Sequence, residues 1–131
     1  MDSQVVGCFR NILEEVLEGI LLPNKASNLC RPVTPKEIKS AMFGIGNAKA
    51  PGPDGYYSYF FKAAWKVVEE DVIAVVSHFF HTESMLAAFN STIITLVPKR
   101  QSPSNIRDFR PISCCLVIYK CITKIIANRL K

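Results

Sequence analysis

Apolar residues recur every three to four positions over much of the chain, and this spacing predicts a mainly helical protein. A first helix is predicted over residues 9–21 and ends before Pro23. A second helix is predicted to begin at Thr34, because Thr-Pro-Lys-Glu has the form of a capping box with proline in the first helical turn. The apolar face of this second helix continues to Ile45.

Two further helices and two strands follow in the pattern. Residues 57–68 predict a third helix, and the acids at positions 69–71 favour the start of a fourth, since negative charge stabilises a helix N-terminus. Residues 91–97 form a continuous run rich in β-branched side chains, which predicts a buried strand that stops at Pro98. A polar loop separates this run from a weaker strand candidate at residues 109–115.

The last helix has the clearest amphipathic pattern, with an apolar stripe on one face and polar residues on the other. The stripe consists of Val117, Ile118, Cys121, Ile122, Ile125, Ile126 and Leu130. The predicted fold class is therefore α+β, mostly helical with one β-hairpin. The pattern divides the chain into an upstream helix and loop at 1–33, a helical segment at 34–90, and a hairpin with its following helix at 91–131.

Two prolines and two glycines interrupt the helical pattern between the second and third predicted helices. In Ala-Pro-Gly-Pro-Asp-Gly at residues 50–55, each proline fixes its φ angle and each glycine allows a positive φ angle. This composition predicts a stiff turn rather than a helix or a central strand.

Positive charge is concentrated towards the C-terminal end of the 131 residues. The formal net charge is +5, but residues 97–131 carry eight basic side chains and one acid, and so contribute +7. This charge is compatible with a nucleic-acid partner but does not require one, and a polyanion, if bound, is expected to sit on this segment. The first twenty residues are too acidic for a signal peptide, and no apolar run has the length of a membrane span. We therefore expect an intracellular protein, in the cytoplasm or nucleus, that is not secreted.

Four basic residues flank the loop between the two predicted strands. Lys99 and Arg100 follow the first strand, and Arg107 and Arg110 lie where the second begins. If the strands pair, these side chains gather at the open end of a hairpin, where arginine and lysine can hold phosphates. The alternative is a set of solvated charges on a surface loop, and the charge pattern leaves both open.

The sequence contains no recognisable catalytic or metal-binding pattern. His78 and His81 are three positions apart, but the glutamate of a zinc-binding helix does not accompany them. No acid follows a strand in the way that two-metal phosphoryl transfer requires. We therefore predict no catalytic residue and no metal site in this chain.

Three blocks of the sequence carry a family resemblance. Residues 49–55 read Lys-Ala-Pro-Gly-Pro-Asp-Gly, residues 92–99 form the predicted first strand with its lysine, and residues 108–131 cover the second strand and the last helix. In this order and spacing they resemble the reverse transcriptases of LINE-type (non-LTR) retrotransposons, in a form typical of plant elements. Leu116 is a departure, since the family usually has asparagine there.

The resemblance implies that this stretch leads into the polymerase domain and contains its fingers, with the hairpin as a fingers element. In that setting Lys99 would contact the template or the incoming nucleotide, and Arg110 would contact the triphosphate, with Arg100 and Arg107 beside them. The Lys-Ala-Pro-Gly-Pro-Asp-Gly turn would lie near the template strand or brace the fingers. Contacts with the nucleic-acid backbone are implied for Lys49, Lys120, Lys124 and Arg129, although a surface helix is the alternative.

The resemblance also implies what this chain lacks. The catalytic aspartates of the family lie in a palm that follows beyond Lys131, so we expect a fragment that is inactive alone and binds no cofactor, although the complete enzyme uses Mg²⁺. RNA or DNA template and nucleotide are the implied partners, with no membrane. The missing palm is the expected packing partner of the last helix, whose stripe we therefore expect to be exposed. A residual nucleic-acid-binding module and a transposon remnant without a biochemical role are the alternatives.

Overall fold

The computed structural model describes residues 31–131, so the predicted helix over residues 9–21 lies outside the described residues. The chain divides into two compact units. One is Pro32–Asn128, and the other combines Met1–Arg31 with Arg129–Lys131. None of the helices described in residues 31–131 has the length and apolarity needed to cross a bilayer.

Helix α1, Pro35–Phe43, begins where the sequence predicts. The side-chain oxygen of Thr34 accepts a hydrogen bond from the backbone N–H of Glu37 at 3.2 Å, and proline occupies the first turn, where no N–H donor is needed. The buried face, which Ile45 extends just beyond the helix, consists of Ile38, Ala41 and Met42.

The next two helices meet at Ala64, several residues before the acids that were predicted to open a helix. Helix α2 spans Ser58–Ala63 and helix α3 spans Trp65–Thr82, so the predicted start at the acids 69–71 was wrong. The buried members of α3 share one face of a continuous helix: Trp65, Val72 and Val76. A helix that started at the acids would leave the tryptophan off this face, which explains the earlier start.

Two strands form an antiparallel hairpin, so the α+β prediction is confirmed. Strand β1 spans Thr92–Pro98 and strand β2 spans Phe109–Cys115, close to the predicted bounds. They pair in register from Thr92 opposite Cys115 to Pro98 opposite Phe109, and in the described part of the chain the sheet has these two strands alone. Short 3₁₀ turns at Ala87–Asn90 and Ile106–Asp108 precede β1 and β2.

The prediction that β1 is a buried strand was wrong. All seven of its residues are exposed, with Ile94 at 66% and Leu96 at 51% of full exposure. A continuous apolar run is typical of a strand that is covered on both faces. Here, within residues 31–131, the two-stranded sheet leaves both faces of β1 open, so apolar side chains on both faces meet solvent.

Helix α4, Val117–Leu130, supplies the remaining wall of the core. Five residues of its stripe are buried together with the apolar faces of α1 and α3: Val117, Ile118, Cys121, Ile122 and Ile125. The expectation of an exposed stripe was therefore wrong for these five, although Ile126 and Leu130 are exposed. Burial also raises the pKa of the Cys121 thiol to about 12, so this thiol stays protonated at neutral pH.

Candidate nucleic-acid interface

The loop that closes the hairpin is organised around one carboxylate, that of Asp108. Its Oδ2 accepts hydrogen bonds from the backbone N–H groups of Ser104 and Asn105, both at 3.0 Å. The Oδ1 of Asn105 accepts in turn from the backbone N–H of Arg107 at 3.4 Å, so the two side chains form a reciprocal capping box around the 3₁₀ turn. The Asp108 carbonyl accepts from the Lys99 N–H at 2.7 Å, which joins the two sides of the loop.

Arg100 is engaged inside this loop. Its guanidinium pairs with Oδ2 of Asp108 and also donates to the hydroxyl of Ser104 at 3.3 Å. The hydrogen bond from Arg100, followed by that from the Ser104 N–H, lowers the pKa of Asp108 below its ordinary value of 3.8, and desolvation opposes this only in part. Arg100 is thus less available to an external phosphate than the other basic residues of the loop.

Three further basic side chains, in the loop and at the start of β2, are exposed and form what we call the tip cluster: Lys99, Arg107 and Arg110. The ammonium of Lys99 donates to the carbonyl of Arg107 at 2.7 Å and keeps two further N–H groups. Within residues 31–131 the guanidinium groups of Arg107 and Arg110 form no hydrogen bond or ion pair. The sequence predicted these residues at the open end of the hairpin, but they flank the loop that closes it, since Arg110 pairs with Val97 beside the loop.

The turn at residues 50–55 packs against the opposite end of the hairpin, where β2 passes into α4. A Cβ atom on Gly52 would lie 2.7 Å from the backbone nitrogen of Leu116 and 2.8 Å from the carbonyl carbon of Cys115. This close approach, and not a positive φ angle, makes glycine necessary there. Among the described glycines the positive φ angle belongs to Gly55, at 75°.

A second group of basic side chains lines a groove of ≈ 460 Å³ between the segment after α1 and helix α4. We call it the lysine groove, and its lysines are Lys49, Lys120 and Lys124. The ammonium of Lys120 also donates to the carbonyl of Ala50, which ties the turn to α4. Arg129, which the resemblance grouped with these lysines, belongs to the other unit, where it donates to the carbonyl of Arg31 at 2.8 Å.

The residues that the structure describes contain no group of three or more His, Cys, Asp or Glu side chains that could hold a metal ion. His78 lies instead beside a largely apolar cavity of ≈ 430 Å³, with Phe79, Met85 and Phe89.

Asp108 is the site residue that sequence reasoning missed. In the charge pattern Asp108 is only the one acid of a basic segment. The spacing from Asn105 to Asp108 has the form of a capping box, and this is the sequence signal that could have identified its role in the loop. The lysine groove has no such signal, because Lys49 and the α4 lysines are far apart in sequence and come together through the packing of the turn.

The chain is thus an α+β protein with a helical core and an exposed hairpin that ends in a basic loop. It matches no protein-family profile. It is similar to an uncharacterized 149 kDa protein of transposon TX1 from Xenopus laevis, with 28% identity over 120 residues. The aligned segment covers 90% of this chain and 9% of that relative, so this chain spans a small part of its length. The similarity links the chain to a transposon protein.

Proposed function

We propose that this chain is the fingers part of a LINE-type reverse transcriptase, and that its tip cluster grips the phosphates of template or incoming nucleotide. The observation that carries the proposal is the pair of exposed guanidinium groups of Arg107 and Arg110, which have no partner within residues 31–131 and lie at a loop of fixed shape. The similarity to a transposon protein and the family resemblance of the three sequence blocks support the same assignment.

The chemistry of the loop suits a phosphate grip. An arginine guanidinium presents a planar set of donors that can bind a phosphate through two hydrogen bonds, and the bond is strengthened by charge. The carboxylate of Asp108 would repel a phosphate, but its ion pair with Arg100 neutralises it. Because the loop is already ordered by Asp108, little conformational entropy remains to be lost when a ligand binds.

The turn at residues 50–55 supports the hairpin from its root. Its Gly52 packs directly on the backbone of Leu116, and its Ala50 carbonyl accepts from Lys120 on α4. These contacts favour the bracing role over direct contact with the template, the two roles that the resemblance leaves open for this turn. In the proposed function the helical core carries the hairpin, and the turn fixes the direction in which the tip cluster points.

The proposed role of these residues is binding and positioning, without a chemical step. Polymerisation, with its Mg²⁺, is assigned to the complete polymerase. The 131-residue chain alone is accordingly expected to bind nucleic acid weakly, without regard to sequence, and in a manner that salt opposes.

Fluorescence anisotropy with a labelled single-stranded RNA, repeated over a range of salt concentrations, tests the tip cluster. The double variant R107A/R110A is expected to lose two phosphate contacts, and each contact contributes about 0.7 to the slope of log affinity against log salt for a single strand. The slope is therefore expected to fall by about 1.4 relative to the wild-type chain.

The matched control is K36A/K66A, which removes the same charge from exposed positions on α1 and α3. Its slope is expected to stay close to that of the wild-type chain. If R107A/R110A and K36A/K66A change the slope equally, the tip cluster is not the phosphate grip. If the wild-type chain shows no salt-dependent binding, the interpretation as a remnant without a biochemical role replaces the proposal.

A further inference from the structure

We propose that the outer edge of strand β1 pairs antiparallel with β1 of a second copy of this chain, so that the two hairpins join into one continuous sheet. The two-fold axis of this dimer passes beside Thr95. Neither the tip cluster nor the lysine groove takes part in the contact, so the dimer is independent of the proposed function.

The backbone groups of β1 are divided between its two edges. The N–H of Lys99 donates to the carbonyl of Asp108, so in the alternating antiparallel ladder the odd-numbered residues of β1 direct their backbone groups towards β2. The even-numbered residues, among them Ile94 and Leu96, direct their N–H and C=O groups to the outer edge. Within residues 31–131 no strand other than β2 pairs with β1, and all of β1 is exposed, so this edge is open to a further strand.

The other edge of the sheet is closed to a strand in the same way. Pro111 stands opposite Leu96, so its nitrogen faces outward, and proline has no N–H to donate there. Arg110 adds an exposed charge to the same strand, and both proline and charge protect sheet edges. Strand β1 carries no charge, and its one proline, Pro98, is its last residue. Pairing through strand edges is therefore confined to β1 and stops at a dimer, because the same edge is used by both copies.

The sequence of β1 is self-complementary about Thr95. In the antiparallel pairing centred there, Ile94 of each copy faces Leu96 of the other, and Ile93 faces Val97. Because Ile94 and Leu96 both direct their backbone groups outward, they exchange hydrogen bonds across the new edge, and Thr95 faces its own copy in a non-hydrogen-bonded pair. All four apolar side chains are exposed in the single chain. Each therefore gains an apolar cross-strand partner in the dimer, which stabilises strand pairing.

The same geometry keeps the positive charges of the two copies apart. Antiparallel pairing sends the two closing loops to opposite ends of the sheet, so that the two copies of Lys99 are roughly 25 Å apart along the strand direction. This separation exceeds the Debye length of about 8 Å at physiological ionic strength, so the basic tips do not oppose the contact. The contact is limited to one strand of seven residues, which is less than a permanent dimer buries, and we therefore expect a reversible dimer.

Sedimentation velocity of the full chain, from micromolar to millimolar concentration, tests the association. The wild-type chain is expected to shift reversibly from monomer to dimer. Ile94→Pro removes an outward N–H and spares those that face β2, so two hydrogen bonds are lost across the two-fold axis and the dissociation constant is expected to rise by about tenfold or more. The matched control Ile94→Ala also loses the side chain but keeps the N–H, and a smaller rise is expected. A wild-type chain that is monomeric at millimolar concentration, or equal effects of the two variants, would overturn the proposal.

Disulfide trapping tests the register without relying on a proline variant. T95C places two cysteines opposite each other in a non-hydrogen-bonded pair, with Cβ atoms about 4.5–5.5 Å apart, close enough to be oxidised to a disulfide after a small adjustment. I93C lies on the same face of β1, but its two copies are offset by roughly 13 Å along the strands, which is out of reach.

Under mild oxidation T95C is expected to form a covalent dimer, and I93C no more than the wild-type chain, whose native cysteines set the background. A yield for T95C at the wild-type level, or an equal yield for I93C, would refute the pairing about Thr95. Species larger than a dimer in the sedimentation of the wild-type chain would refute the closure of the β2 edge by Pro111.

Discussion

At the scale of single residues, the root of the hairpin depends on a position where two stretches of backbone nearly touch. Gly52→Ala places a Cβ atom 2.7 Å from the Leu116 nitrogen, and the atoms that it meets are backbone, which cannot rotate out of the way. We expect this substitution to lower the free energy of unfolding by about 1–3 kcal/mol, the usual cost of overpacking. Urea unfolding followed by circular dichroism measures the change.

The matched control is Gly46→Ala, which adds the same methyl group in open space. The nearest atom to its Cβ is Cγ of Lys49 at 3.6 Å, an ordinary contact with a flexible side chain. We expect no loss there, and a gain of up to about 1 kcal/mol because alanine restricts the unfolded chain. Equal unfolding midpoints for the two variants would show that the close approach at Leu116 is relieved at no cost.

At the scale of elements, the closing loop of the hairpin is built on a charge that acid removes. The pKa of Asp108 is lowered in the folded chain, so its carboxylate contributes stability that is fully present above its unfolded pKa and is lost as pH falls through its folded pKa. We expect loop order to persist from neutral pH down to about pH 4 and to fail below it. The amide signals of Ser104 and Asn105, recorded during an acid titration, follow this change.

The isosteric variant Asp108→Asn is the control for this pH dependence. It keeps the shape of the side chain but removes the charge, so the amide signals of Ser104 and Asn105 are expected to lose the low-pH step. The amides of α1 serve as an internal reference for global unfolding. A carboxyl group at Asp108 that titrates above 3.8 in the wild-type chain would contradict the role given to Arg100.

Local signals in the sequence predicted the helices and strands themselves better than they predicted what covers each one in the folded chain. The capping residues at Thr34 predicted the start of α1, and β-branched composition that ends at Pro98 predicted the first strand of the hairpin. The exposure of β1 was missed, because a continuous apolar run looks the same whether or not other layers cover it. The break at Ala64 was missed for a related reason: the tertiary demand to bury Trp65 outweighed the helix-start preference of the acids.

The candidate site follows the same division between local and tertiary information. The placement of the tip-cluster residues beside one loop was predictable, because it follows from the pairing of the two strands on either side of that loop. Two features of the site could not be predicted, because both depend on side-chain contacts made by the folded chain. They are the ion pair that engages Arg100 with Asp108 and the convergence of Lys49 with the α4 lysines. Charge counting treats all of these residues alike, although the structure gives them different availability.

At the scale of the whole molecule, the unit Pro32–Asn128 combines a closed helical core with a hairpin that contributes little to it. The fully buried side chains lie mainly on α1, α3 and α4, whereas every residue of β1 is exposed. Burial of apolar surface is the main source of folding stability. The helical core therefore contributes far more to the stability of this unit than the hairpin does. The hairpin is held chiefly by its own ladder, its ordered loop and the packing of the turn at its root.

Native-state hydrogen exchange is therefore expected to divide this unit into two classes of amide. Amides near Ile38, Val76 and Ile125 are expected to exchange through global unfolding, and those of β1 through local opening at a much smaller free energy.

Ile125→Val, which trims a fully buried side chain, is expected to lower the free energy of exchange for the slowest core amides by about 0.5–1.5 kcal/mol and to leave the β1 amides unchanged. Ile94→Thr, at an exposed strand position, is expected to leave the core amides within about 0.5 kcal/mol of wild type. If the β1 amides exchange as slowly as the core amides and respond to Ile125→Val, the hairpin unfolds together with the helices and the division made here is wrong.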